Sequence, residues 1–259
     1  MIRNLKTLGL ALVAVFAFGA LAASVASAQQ GTLTSTGPVT LTGEDTEPTV
    51  INKNALTQGA LGRVECPHSK YTGHAVLTHA QTTAGSKHGL ISVPATTATI
   101  TPHYNTKCHA IIPILGTRPA TVTMNGCDYV AHIGQTTGGA NTYGVTFDLV
   151  CPPGKVIEVH VYKTGSVTHP DADAVCTFKI GSEHGGKPVN QGLVGAHLTH
   201  TLPPADDIDL SGEILGIHDT HEGTLCGSGT SNTNKLDIDV TIKGHNNLGA
   251  NTDVTVTDS

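Results

Sequence analysis

The chain of 259 residues contains no tryptophan and few aromatic side chains of any kind. Of its four phenylalanines, Phe16 and Phe18 lie in an N-terminal apolar segment, which leaves Phe147, Phe178 and five tyrosines for the rest of the chain. A core must therefore be built mainly from Val, Ile, Leu and Ala. Because a polysaccharide cleft normally needs aromatic platforms, this scarcity argues against a glycan-cleaving enzyme.

Sequence motifs of common enzymes are also missing. There is no GxSxG elbow, and Ser228 in the stretch CGSGT lacks the strand–turn–helix context of such a nucleophile. There is no HExxH motif of zinc proteases, and no CxxC pair of the kind found in zinc fingers and thioredoxins. We therefore expect a protein that is not an enzyme and that carries no cofactor.

Positive charge is scarce outside the first residues. The N-terminus combines Arg3 and Lys6 with an apolar run from Leu8 to Leu21, followed by Ala26-Ser27-Ala28, a small-x-small cleavage site. This pattern predicts a signal peptide over residues 1–28 and export of the rest. A membrane anchor is the weaker alternative, because the apolar run is shorter than the roughly 20 residues of a spanning helix. We expect no transmembrane segment after cleavage and a secreted, extracellular protein.

Removal of residues 1–28 leaves 12 basic against 20 acidic residues, which gives a net charge of −8 with neutral histidine. Such a charge argues against binding to nucleic acid or to anionic membrane surfaces. The partner is therefore expected to be an unidentified extracellular or envelope component.

Alternation of apolar and polar residues is the clearest structural signal. It predicts half-buried strands in three successive stretches, 143–151, 157–162 and 176–180, and again in 236–242. Abundant Thr and Gly and the lack of long helical patterns point the same way. We predict an all-β, disulfide-stapled antiparallel β-sandwich protein with two sandwich-like units. The proposed boundaries are an N-terminal unit at 29–135, a Gly- and Thr-rich linker at 136–141 and a C-terminal unit at 142–259.

The segment from Cys108 to Ile133 predicts a meander. An apolar run ends at Leu115, residues 116–119 form a turn, and a strand at 120–124 leads into Asn125-Gly126. That dipeptide is the preferred centre of a type I′ hairpin turn, so we expect the strand that follows to fold back on the one before.

Six cysteines, an even number in a chain with a signal peptide, predict three disulfides among 15 possible connectivities. The predicted meander favours Cys108–Cys127, and pairing of each with a distant cysteine is the alternative. A second local bond, Cys151–Cys176, would leave Cys66 and Cys226 to tie the two halves together.

Fifteen histidines are the compositional oddity, and neutral imidazole is a common ligand of zinc and copper. Two pairs are spaced by three residues, His197 with His200 and His218 with His221, and Glu222 follows the second pair. On a flat strand such a pair would point to opposite faces. The stretch HDTHEGT instead resembles a loop that could chelate, so a candidate metal site comprises His218, His221, Glu222 and His197. Ordinary surface histidines are the simpler interpretation.

Four stretches, GTLTSTG, ITPHYNTKC, VTMNGCDY and VCPPGKVIEVHVY, resemble those of uncharacterised secreted, cysteine-containing β proteins of soil actinobacteria. The resemblance covers most of the chain after residue 28. It implies secretion and a repeated cysteine framework, and it carries over no functional residue. The sequence therefore predicts a secreted, non-catalytic extracellular or cell-surface module with a binding or structural role. A secreted zinc- or copper-binding protein is the alternative.

Overall fold

The computed structural model describes residues 31–35, 40–45, 54–58, 62–67, 69–74, 97–104, 108–137, 141–165, 171–200, 207–245 and 251–258. The predicted signal peptide at 1–28 lies outside these residues. Apart from a 3-10 helix at Asp171–Asp173, the described residues form strands and turns. The strands are β1 (Gly31–Ser35), β2 (Thr40–Asp45), β3 (Ala55–Thr57), β4 (Arg63–Glu65), β5 (Lys70–His74), β6 (Thr97–His103), β7 (His109–Ile112), β8 (Gly116–Thr123), β9 (Asp128–Thr136), β10 (Thr142–Val150), β11 (Ile157–Tyr162), β12 (Ala174–Ile180), β13 (Glu183–His184), β14 (Lys187–Pro188), β15 (Leu193–His200), β16 (Ile208–Gly223), β17 (Gly227–His245), β18 (Asn251–Thr252) and β19 (Val254–Asp258).

All pairings between these strands are antiparallel, which confirms the predicted all-β antiparallel class. One series of pairings returns to its own start and is called the first ring. It runs through β2, β5, β6, β9, β10, β15, β16 and β17, and β17 pairs again with β2. A second series, the second ring, runs through β3, β4, β7, β8, β11, β12, β16 and β17, and β17 pairs again with β3.

The two rings share the long hairpin of β16 and β17. These strands have 16 and 19 residues, which is long enough for each to take two neighbours in succession along one edge. The edge of β17 pairs with β3 through residues 235–237 and with β2 through 240–245. The edge of β16 pairs with β15 through 208–212 and with β12 through 220–222. The shared hairpin is therefore the wall between the rings.

The two rings are not the two sequence halves that we predicted. Strands from 29–135 and from 142–259 contribute to both rings, so the division at residue 136 corresponds to no boundary between them. The predicted linker at 136–141 connects β9 and β10, which are direct neighbours in the first ring. The backbone N–H of Thr137 donates a hydrogen bond to the carbonyl of Thr142. The Gly- and Thr-rich stretch thus connects two strands that pair with each other. Its residues 138–140 lie outside the described part.

The predicted turn at Asn125-Gly126 is present, but the predicted hairpin around it is wrong. Both residues have positive φ, 52° and 81°, and the N–H of Cys127 donates to the carbonyl of Met124. The flanking strands then separate, since β8 pairs with β7 and β11 in the second ring while β9 pairs with β6 and β10 in the first. At this turn the chain therefore passes from the second ring to the first.

Each ring encloses a hydrophobic core. The first core includes Phe147 and Leu149 on β10, whose burial alternates as the sequence pattern predicts. The second core includes Val159 on β11 and Phe178 on β12. A two-stranded sheet of β1 and β19 adds Leu33, Val254 and Val256 to the first core. Shared burial of apolar side chains and a hydrogen bond from the Tyr143 hydroxyl to the Val256 carbonyl connect this sheet to the first ring.

All three predicted disulfide pairs are wrong. The bonds are Cys66–Cys108, Cys127–Cys151 and Cys176–Cys226, so each cysteine pairs with its neighbour in the sequence. The reason lies in the strand pairing. Because β8 and β9 diverge, Cys127 lies away from Cys108, whereas the pairing of β4 with β7 brings Cys66 next to Cys108.

The other two bonds follow from the crossings and the shared hairpin. Cys127 lies where the chain passes from β8 to β9, and Cys151 lies where it returns from β10 to β11, so their bond joins the two crossings between the rings. Cys226 lies in the turn between β16 and β17, where the N–H of Leu225 donates to the carbonyl of Val175 on β12. The turn is thereby placed beside Cys176.

Candidate functional site

The structure does not bring the predicted metal ligands together. His197 is exposed on β15, where its Nδ1 lies 3.2 Å from Thr137 Oγ1. The stretch HDTHEGT, which we predicted as a loop, is part of β16. Consecutive strand residues point to opposite faces, so His221 and Glu222 diverge. In the described ranges no group of three His, Cys, Asp or Glu side chains is arranged to hold a metal ion.

Each of the β16 candidates has a different local partner. The His218 ring lies 4.7 Å from the ring of His184, centroid to centroid. The Glu222 carboxylate forms an ion pair with Lys179 on β12, at 2.9 Å. The hydrogen bond between the two groups is the main cause of their pKa shifts: it lowers the pKa of Glu222 and raises the pKa of Lys179. Glu222 therefore belongs to a cross-strand ion pair.

His221 belongs to a buried polar network centred on Asp219. The Asp219 side chain is 1% exposed, and its Oδ2 accepts a hydrogen bond of 2.8 Å from Gln58 Nε2. Its Oδ1 lies 3.3 Å from His221 Nδ1, and the His221 ring packs against Phe178. Because Gln58 follows β3 and Asp219 lies on β16, this network connects two elements that are distant in sequence at the same end of the second ring.

Replacement of Gln58 by alanine should lower the free energy of unfolding by about 1.5–3 kcal/mol, because the buried Asp219 carboxylate loses a donor. Urea unfolding followed by circular dichroism measures the change. Gln135→Ala, the same substitution at an exposed position of β9, serves as the control and should stay within about 0.5 kcal/mol of the parent. Equal stability of the two variants would contradict a structural role for this network.

An apolar recess of about 210 Å³ lies next to this network at the end of the second ring, and we call it the ring-end cavity. Apolar side chains of four strands and the turn between β16 and β17 line most of it. They include Val64, Ala110, Val161, Phe178, Leu225 and the Cys176–Cys226 disulfide. The polar side chains in the lining are Gln58 and Arg63. The recess is therefore an apolar pocket with a small number of hydrogen-bonding groups.

A charged groove of about 570 Å³ adjoins the ring-end cavity and shares Gly62, Arg63 and Pro113 with it. The Lys235 ammonium pairs with Glu213 and lies 3.8 Å from Asp237 Oδ1. The hydrogen bond between Lys235 and Glu213 lowers the pKa of Glu213 and raises the pKa of Lys235. Burial raises the pKa of the Asp237 carboxyl. Acidic and basic groups are balanced in this groove, so it has no strong preference for one sign of charge.

The turn between β7 and β8 borders the cavity. Pro113 and Leu115 line it, and the N–H of Leu115 donates to the carbonyl of Ile112. The turn thus lies at 112–115, whereas the sequence predicted it at 116–119, where β8 has already begun. Ile114 is fully exposed with φ of +71°, a conformation that costs a β-branched residue about 1–2 kcal/mol. The strained turn thus directs Ile114 to solvent, while Pro113 and Leu115 on either side of it line the cavity.

A smaller cavity of about 40 Å³ lies inside the first ring and is lined mainly by apolar side chains, such as Leu198 and Val240. It has room for little more than a water molecule, which such a lining would not hold by hydrogen bonds. We interpret it as a packing gap.

The residues around the ring-end cavity come from positions between Gln58 and Cys226, so sequence reasoning did not identify them. The one available signal was that Arg63 is one of only two arginines after residue 28. In the described part of the chain, no helix is long and apolar enough to cross a membrane. No family model, curated protein or solved structure matches the chain, so its function has to be argued from the site itself.

Proposed function

We propose that the chain is a secreted, non-catalytic extracellular or cell-surface module that binds a small ligand in the ring-end cavity. The cavity itself carries the proposal, since an apolar recess with a few polar groups at its edge is the usual form of a small-molecule site. Three disulfides are typical of proteins in oxidising compartments. The signal-peptide pattern at 1–28 and the resemblance to secreted actinobacterial proteins support export.

The chemistry of the lining supports binding without catalysis. Both cysteines of the cavity are in a disulfide, so neither offers a thiolate. The remaining polar side chains, Gln58 and Arg63, are of types that rarely serve as nucleophile or general base. Zinc or copper binding by His218, His221, Glu222 and His197 is supported by no contact among the described residues, and we do not propose it.

Isothermal titration calorimetry with 1-alkanols of four to ten carbon atoms tests the proposed function. We expect one binding site per chain and an optimum at intermediate length, with a dissociation constant between about 10 µM and 1 mM for ligands of this size. Leu225→Trp, which adds a bulky ring at the cavity wall, should abolish binding. Leu225 is only partly buried, so the larger side chain can be accommodated without disruption of the core.

Leu215→Trp is the matched control, because Leu215 is 47% exposed and does not line the cavity. This variant should bind the alcohols as the parent protein does. Absence of saturable binding to every alcohol, or equal binding by the two tryptophan variants, would overturn the proposed function.

A further inference from the structure

We propose that the turn between β7 and β8 docks on a lipid surface without net charge, and that the side chain of Ile114 inserts into that surface. The turn presents Pro113, Ile114 and Leu115, and we call these three residues the apolar tip. This inference goes beyond the proposed function, because docking depends on the apolar tip and not on a ligand in the ring-end cavity.

The exposure of the apolar tip is the first support. Ile114 is fully exposed, Leu115 is 47% exposed, and Pro113 is exposed as well. Single apolar side chains are common on protein surfaces. Three in succession at the end of a hairpin lower solubility, and such a patch is typical of a site that meets another apolar phase.

The backbone of Ile114 is the second support. Its φ of +71° lies in the left-handed region, which Asn and Gly adopt at lower cost than a β-branched residue. Among the described residues, the other non-glycine positions with positive φ are all asparagines, namely Asn54, Asn125, Asn141 and Asn190. Ile114 is thus the exception, and a strained residue that also exposes its apolar side chain indicates a function for that side chain.

The charge around the apolar tip indicates which kind of surface it meets. The hairpin of β7 and β8 contains no Asp or Glu. On the neighbouring β4, Glu65 is engaged by Arg63 and His109. The surroundings of the tip are therefore close to neutral, whereas the chain after residue 28 carries a net charge of −8. An uncharged surface suits this arrangement, while an anionic surface would repel the rest of the protein.

The size of the apolar tip favours a lipid surface over a protein partner. A stable protein interface buries roughly 800 Å² on each partner, which three side chains cannot supply, and the surface beside them is the charged groove. A lipid interface has no such requirement, since each inserted side chain contributes through its own buried area. Pro113 and Leu115 also line the ring-end cavity, so docking would bring the mouth of the cavity to the lipid.

Tryptophan fluorescence of the purified oxidised protein on phosphatidylcholine vesicles tests the docking. The parent chain contains no Trp, so Ile114→Trp reports on the apolar tip alone, and Trp favours the membrane interface. We expect a blue shift with half-maximal binding at about 1 mM lipid, the strength that two or three inserted side chains supply. Val194→Trp, at a 55% exposed position of β15 in the first ring, is the matched control and should show no shift.

Ile114→Asn separates docking from stability. Asn suits the left-handed backbone, so the melting temperature should rise by about 2–4 °C. Cosedimentation with the vesicles should nevertheless weaken about tenfold or more, because the inserted side chain is lost. Ile114 does not line the ring-end cavity, so this variant should bind 1-alkanols as the parent does. Addition of anionic phosphatidylglycerol to the vesicles should weaken the binding of the parent.

The other outcomes would overturn the docking. A blue shift in both tryptophan variants, or equal cosedimentation of Ile114→Asn and the parent, would place the lipid contact elsewhere. Stronger binding to anionic vesicles would overturn the uncharged surface. Absence of vesicle binding would overturn the lipid and leave the ligand of the cavity to its own calorimetric test. Self-association of the parent in sedimentation velocity that Ile114→Asn removes, without vesicle binding, would assign the tip to a second copy of the chain.

Discussion

Replacement of both Cys176 and Cys226 by alanine should lower the free energy of unfolding by about 4 kcal/mol. The two residues are 50 positions apart, and a cross-link over that distance removes about this much chain entropy from the unfolded state. Alanine suits the site because Cys176 is buried and a hydroxyl there would lack a partner. Thermal and urea unfolding of the variant and the parent measure the difference.

The matched comparison is the Cys127→Ala, Cys151→Ala double variant. Its disulfide closes 24 residues, and its loss should cost about 3.5 kcal/mol by the same reasoning. Peptide mapping of the parent without reduction should recover the pairs Cys66–Cys108, Cys127–Cys151 and Cys176–Cys226. Recovery of Cys108–Cys127 would contradict the separation of β8 and β9. Unchanged stability of the Cys176 and Cys226 variant would show that this bond does not constrain the unfolded chain.

Replacement of Phe147 or of Phe178 by alanine should lower the free energy of unfolding by about 3–5 kcal/mol in each case. Only one of the two substitutions should change ligand binding. Phe147 is 1% exposed in the core of the first ring, and Phe178 is 3% exposed in the core of the second. Both substitutions by alanine leave a large unfilled volume. Of these two residues only Phe178 lines the ring-end cavity, so Phe178→Ala should enlarge the site and favour longer alcohols.

Phe147→Ala is therefore an internal control for the general loss of stability. Calorimetry at a temperature where both variants remain folded would compare their optimum alkanol length with that of the parent. A shift toward longer alkanols in Phe178→Ala alone supports the location of the site. The same shift in both variants, or in neither, would place the ligand elsewhere.

The strands could be read from the sequence with good accuracy where one face is buried. The alternation in 143–151, 157–162 and 236–242 corresponds to β10, β11 and part of β17. The I′ turn at Asn125-Gly126 was also evident, because only a few dipeptides tolerate two positive φ angles. These features are local, since a period of two depends on side chains of one strand and a turn depends on four residues.

The sequence did not show which strands pair with each other, and the wrong hairpin and the wrong disulfides follow from that. We assumed that a tight turn joins paired strands, but β8 and β9 pair with other strands, in different rings. The wrong disulfides followed directly, as Cys108 and Cys127 were placed side by side. The buried Gln58–Asp219 contact joins residues that are 161 positions apart, and no local sequence pattern predicts such a pair.

The amino-acid sequence by itself determined that the chain forms strands, where many of those strands lie, and that its cysteines are even in number. Tertiary structure alone decided that two rings share β16 and β17, which cysteines meet, and that a cavity lined by apolar side chains with Gln58 and Arg63 lies at one end of the second ring. The physical reason is that alternation specifies which face of a strand is buried. The identity of the neighbouring strand depends instead on how all the buried faces fit together.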